Sequence, residues 1–177
     1  MSHEACAALL GQLAPLRRYA RLLCGDAARA DDLLQDTLER ALRKWHLYDE
    51  RGSLRSWLLS IMHNLWAGQH RGRPDELSWS DEHEAAGPDT SQQLTLRLDT
   101  ERALARLPEA QRAVLLLVVV EELGYAEVAE VLDIPLGTVM SRLSRARAQM
   151  RTLMADTAAP AATTAPHLRV VSDRSGT

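Results

Sequence analysis

Residues 133–151 read DIPLGTVMSRLSRARAQMR, and their reading decides how the rest of the chain is understood. The stretch holds four arginines (Arg142, Arg145, Arg147, Arg151) and one acid, Asp133 at its start, in a chain of net charge −3. On a helix from Thr138, the residues Val139, Leu143, Ala146 and Met150 fall at i, i+4, i+7 and i+11. That apolar stripe must pack on neighbouring helices. Thr138, Ser141, Arg142, Arg145 and Gln149 form the opposite stripe, with Arg147 and Arg151 on its flank. A surface helix serving only solubility would interleave acids with arginines four residues apart, as Asp36 and Arg40 do earlier. Here the charge is left unneutralised, which points to a polyanion or, as the plainer alternative, to an acidic protein surface. The segment 125–132, YAEVAEVL, reads as a short helix joined to this one by a tight connection. A short helix, a tight turn and a second helix bearing Arg and small polar side chains make a helix-turn-helix. Its second helix can enter the major groove, where Arg reads guanine bidentately and Ser or Thr holds base edges or phosphates.

Working outward, Leu107 precedes Pro108, a good first-turn residue for the run EAQRAVLLLVVVEEL (109–123). By β-propensity alone Leu115–Val120 could be a strand. The helical start signal and the lack of any partner strand favour a buried central helix. The segment 94–107 is an amphipathic helix ahead of it. Upstream, 74–92 is rich in Pro, Gly, Ser and acids, without periodicity; six acids (Asp75, Glu76, Asp81, Glu82, Glu84, Asp89) and no Lys or Arg mark it as a linker. Its one large apolar residue is Trp79.

The first half shows three helices. The first reads from Pro15, with Leu16, Tyr19, Ala20 and Leu23 on one face and Gly25 as its stop. The second is capped by Asp26 and turns Ala30, Leu33, Leu34, Thr37, Leu38, Ala41, Leu42 and Trp45 to one side, with basic residues at its C-terminal end. The third is capped by Ser53 and ends near Gly72–Pro74. The fold expected is all-α: two small helical domains, 1–73 and 93–155, joined by a flexible acidic linker, 74–92, the second domain containing the helix-turn-helix. The Ala/Pro/Thr-rich tail, 156–177, is expected to be disordered. Two basic segments, 52–73 and 134–151, flank an acidic spacer, a pattern suiting two contacts on one polyanion.

Composition excludes several classes. An aromatic share of 4% and no Phe favour Leu/Val/Ala helical cores over β-sandwiches. No apolar run approaches the roughly 20 residues of a membrane span, so no membrane insertion is expected, and the N-terminus does not read as a secretion signal. Two cysteines, Cys6 and Cys24, make no disulfide scaffold and read as reduced cytosolic thiols. The histidines lack HxxxH or HExxH spacing, so no metal is expected. No cofactor or catalytic motif stands out either, so an enzyme is not expected and no catalytic residue is named.

The residues also match a known pattern. LPEAQRAVLLLVVVEELGYAEVAEVLDIPLGTVMSRLSRARAQMR (107–151) closely resembles the C-terminal, −35-reading domain of bacterial sigma-70 family sigma factors, and most of all the extracytoplasmic-function (ECF) group, which keeps only two domains. Asp133 stands where a Gly is usual. Met140 stands where a basic residue is common, which would weaken one phosphate contact. The resemblance implies −35 contacts by Thr138, Ser141, Arg142 and Arg145, with Arg147 and Gln149 beside them. ADDLLQDTLERALRKW (30–45) resembles the helix that grips the coiled coil of the polymerase β′ clamp, which implies contacts by Asp32, Leu33, Gln35, Asp36, Glu39 and Arg40. YDERGSLRSWLLSIMHNLWAGQHRGR (48–73) resembles the part that melts and reads the −10 element. There a loop from Leu47 through Tyr48 and Ser53 to Leu54, with Asn64 and Arg71, would hold a flipped base. Trp57 and Trp66, nine residues apart, cannot share a face, and Trp57 is assigned to the core.

The implied function is an alternative, cytoplasmic sigma factor without cofactors. Its implied partners are core RNA polymerase (β′ clamp coiled coil and β flap), promoter DNA and an anti-sigma factor. Two rivals remain: a sigma-factor mimic that sequesters an anti-sigma factor without binding DNA, and a regulator using the helix-turn-helix alone.

Overall fold

The computed structural model describes residues 3–49, 52–70 and 91–158. Among them the chain forms seven α-helices and one short 3-10 turn, Trp45–Leu47, and no strand. The helices are α1 (His3–Cys24), α2 (Ala27–Arg43), α3 (Leu54–His70), α4 (Ser91–Ala105), α5 (Glu109–Val119), α6 (Tyr125–Leu132) and α7 (Leu136–Ala158). The linker residues 71–90, including Trp79 and Arg71, and the tail beyond 158 lie outside the described residues. The C-terminal helix runs to Ala158 rather than stopping at 155, since the Ala-rich sequence there gives it no reason to end sooner.

Local chemistry sets the boundaries. Gly25 closes α1 at a φ of 70°, where a Cβ would be strained. The Asp26 side chain accepts the Arg29 N–H at 2.7 Å and opens α2. Ser53 Oγ accepts the Ser56 N–H at 3.3 Å at the start of α3. Pro108 stands as the N-cap of α5, whose run 113–117 is buried as helix, not strand. Glu127 folds back onto the Gly124 N–H at 3.0 Å to open α6.

Two details differ from expectation. The first helix does not start at Pro15; it reaches back to His3 with Pro15 inside it. Leu9, only 6% exposed, packs into the core and anchors those added turns against the bond Pro15 cannot donate. The deeper tryptophan is Trp66, while Trp57 packs against the edge of the core. Leu58, Leu59, Met62 and Trp66 form the buried stripe of α3, and Trp57 falls off it, only partly buried at the helix start.

In the first half α2 packs on both α1 and α3; in the second, α7 packs on α4, α5 and α6. The halves meet directly, α1 on α5 and α3 on α6, so that one continuous core runs through the molecule.

Candidate nucleic-acid interface

Helix α7 is positioned by its apolar stripe. Val139 and Ala146 are fully buried and Leu143 is nearly so, which forces the opposite side outward. The turn before it depends on Asp133, whose φ of 52° and ψ of 52° lie in the left-handed region. Ser141 and Arg145 are exposed; Thr138 and Arg142 are half-buried. Met140 is exposed at 54% beside them and offers DNA no charge. Two residues expected on this face are engaged elsewhere. Arg147 lines an apolar groove with Leu104, Leu115, Val119 and Met150, between α4, α5 and α7. Gln149 Nε2 donates to the Arg106 carbonyl at 3.3 Å, which turns its amide toward the body of the domain. The candidate stripe on this face comprises Thr138, Ser141, Arg142 and Arg145, with Arg147, itself exposed, on its flank.

The second candidate surface lies in the first half. Tyr48, Trp45 and Trp57 cluster with ring centroids 5.2–6.0 Å apart, Trp45 meeting Trp57 edge-on. Tyr48 Oη donates to the Gly52 carbonyl at 2.9 Å, which folds the loop back on itself. The result is a pocket of about 290 Å³ lined by Leu47, Tyr48, Gly52, Ser53 and Trp57, with Ser56 and Ser60 supplying hydroxyls. That is near the lower end of the roughly 300–1,000 Å³ typical of ligand sites. An aromatic floor with hydroxyls at its rim suits one flat, polar-edged group such as an unstacked base. Leu47, Tyr48 and Ser53 line it as the sequence suggested. Leu54 is half-buried against the core instead, and Asn64 is exposed further along α3, outside the lining. The sequence reading placed Trp57 in the core and did not single out Ser56 and Ser60; the available signal was their spacing of three and then four residues from Ser53, one face of a helix start.

The third surface is the outer side of α2. Asp32, Gln35, Asp36, Glu39 and Arg40 are all exposed on it, and Glu39 pairs with Arg43 at 3.3 Å. Leu33 is not part of that face. It is 1% exposed and belongs to the core, so it holds the helix rather than touching a partner.

Charge placement inside the molecule is specific. Burial, reinforced by the nearby Arg142 guanidinium, pushes the His63 imidazole down to about 4. Burial holds the Cys24 thiol up at about 11, so it is inert as a nucleophile at neutral pH. Tyr19, fully buried, is raised further, first by burial and then by Glu121.

Two family comparisons match the chain: the family "Sigma-70, region 4" over residues 97–150, and "Sigma2 domain of PhyR" over 9–63. The ECF RNA polymerase sigma factor EcfG of Rhodopseudomonas palustris is 34% identical over 149 residues, covering 82% of each chain. The sigma factor RpoE of Bartonella quintana, solved in complex with the anti-sigma factor NepR, superposes with a TM-score of 0.74 at 29% identity, covering 87% of this chain and 98% of that one. The anti-anti-sigma factor PhyR of the same organism, solved with NepR, shares the fold at a TM-score of 0.58 and 16% identity, over 84% of this chain and 50% of its own. Among the described residues no helix is long and apolar enough to cross a membrane. With an all-helical architecture, an arginine-striped helix-turn-helix and a relative matched over four-fifths of both chains, this chain belongs to the ECF group of the sigma-70 family, whose members are not enzymes.

Proposed function

We propose that this chain is a working alternative sigma factor: it binds core RNA polymerase in the cytoplasm and directs it to promoters of a particular class. The observation that carries this reading is the outward stripe of α7, with Ser141 and Arg145 exposed opposite the buried Val139, Leu143 and Ala146, on a helix-turn-helix whose partner half holds a base-sized aromatic pocket. Thr138, Ser141, Arg142 and Arg145 would read the −35 element. The loop 47–53 with Trp57 would capture a −10 base. The exposed side of α2 (Asp32, Gln35, Asp36, Glu39, Arg40) would meet the β′ clamp coiled coil, and the apolar groove beside Arg147 suits the β flap. The proposed division is 1–73 for polymerase and −10 contacts, 74–92 as linker and 93–155 for the −35 element. An anti-sigma factor is a further proposed partner, supported by the NepR complex of the RpoE relative.

A second reading, a mimic that binds an anti-sigma factor and never DNA, is favoured by one observation: the first half matches the Sigma2 domain of PhyR. The arginine stripe weighs against it, because a mimic has no use for Arg142 and Arg145 on the outward face of α7. Transcription of genomic fragments by core polymerase, with and without the protein, with RNA 5′ ends mapped, separates the two. Discrete new starts sharing an upstream motif, lost in Arg142→Ala/Arg145→Ala, are expected. Their absence where a known sigma factor works would leave the mimic.

A further inference from the structure

The two surfaces assigned to DNA both reach the join between the halves, the pocket along one side and the α7 stripe at Arg142. The aromatic pocket of the first half is closed on one side by Glu130 and Val131 of α6, which belongs to the helix-turn-helix. Ser56, at the pocket rim, donates through Oγ to Glu127 Oε1 of the same helix at 3.4 Å. Arg142, a reading residue of α7, is half-buried and close enough to His63 of α3 to depress its basicity. While the halves are packed this way, Glu130 and Val131 close the pocket to a base on the α6 side, and Arg142 is only partly exposed.

One residue ties the join together. The Glu121 side chain is fully buried in the turn after α5. Its Oε2 accepts from Arg55 Nε at 2.9 Å and from the same guanidinium's Nη2, across from α3. Its Oε1 lies 3.6 Å from Arg18 Nη2 of α1, and that nitrogen also donates to the Val120 carbonyl at 2.9 Å. The second half thus contributes one carboxylate and the first half two guanidinium groups, 66 and 103 residues away in sequence. A buried ion pair is a poor weld, because its attraction is offset by lost hydration. When the halves part, the buried Glu121 and the partly buried Arg55 recover water. The contact therefore holds one arrangement in register while keeping the gap to the separated one small, as a switch requires.

We propose that the packed arrangement is a closed state that refuses promoter DNA, and that Glu121, gripped by Arg18 and Arg55, is its latch. The consequence for DNA rests on the functional reading above; the latch itself does not. The test uses the full chain without polymerase, in a Cys6→Ser background with labels at Ala28→Cys in α2 and Thr152→Cys in α7, both exposed positions. Label-to-label distances are measured for the parent, Glu121→Gln and Arg18→Gln. The exposed neighbour Glu122→Gln serves as a control that changes net charge as Glu121→Gln does, while Arg18→Gln changes it in the opposite sense. In parallel, fluorescence anisotropy follows binding to a duplex carrying the upstream motif mapped from transcripts. Both latch variants are expected to shift the distances longer and to bind the duplex roughly five- to ten-fold more tightly, with the control unchanged. Unchanged distances in helical, folded latch variants would overturn the latch, and so would an equal effect from Glu122→Gln. If Glu121→Gln fails to fold, Arg18→Gln, altered on a half-exposed side chain, carries the test alone. Halves that open while no variant binds any duplex would keep the latch and sink the DNA reading.

Discussion

Arg145 stands free on α7 and Arg142 is partly sheltered, yet both sit on the single stripe that the buried Val139, Leu143 and Ala146 leave facing out. Each is expected to contribute about 1–3 kcal/mol of discrimination if it pairs with a guanine. Arg145→Ala should therefore lower promoter selectivity on the order of ten-fold and relax preference at one base position, read by transcription from promoters randomised there. Met140→Lys would return a cation to this edge, and is expected to tighten duplex binding modestly and steepen its salt dependence by about one ion. His63 gives a second test. Its folded basicity is depressed to about 4, below its ordinary 6.5, so the unfolded chain takes up the proton first. Its contribution is thus present in full above pH 6.5 and is lost as pH falls toward 4. Denaturant titrations should show stability dropping across that window by roughly 2 kcal/mol more than in His63→Gln, where that component is absent.

At the scale of the element, the caps and stripes were legible because they depend only on neighbours three or four residues away. Asp26 and Ser53 cap the helices they were expected to cap, Gly25 takes the left-handed stop, and the α7 stripe is buried as its period requires. What the sequence hid was decided further off. Nothing near Pro15 announces that Leu9 has a core to reach, and periodicity cannot rank Trp57 against Trp66 when both suit an amphipathic helix. Leu33, placed on the apolar face by spacing, is buried there, so the contact that the resemblance gave it does not fit; Gln149 was placed by spacing alone, and a carbonyl of a neighbouring segment engages its amide. Asp26→Ala should cost about 1 kcal/mol, seen as a lower denaturation midpoint. Asp133 sits at φ 52°, in the left-handed region that favours glycine. Asp133→Gly is expected to be neutral to stabilising by up to about 1 kcal/mol in the same titration, since relief of the left-handed strain outweighs the added chain entropy.

For the whole molecule, the all-helical plan in two groups was readable from composition and from the acidic spacer, but the join between the groups was not. The expectation was two modules on a tether. The structure instead runs one core through both, with α1 on α5 and α3 on α6. That join is made by Arg18, Arg55 and Glu121, three residues with no local pattern, brought together across the length of the chain. Free energy held in such a contact becomes a matter of cellular arithmetic. A bacterial chromosome offers millions of weak sites to any arginine-bearing helix, and each idle copy with its stripe exposed would be scattered among them. A chain that packs its helix-turn-helix, through α6, on its own other half would stay off the chromosome until polymerase opens it, so its copy number could rise without a matching rise in unproductive occupancy.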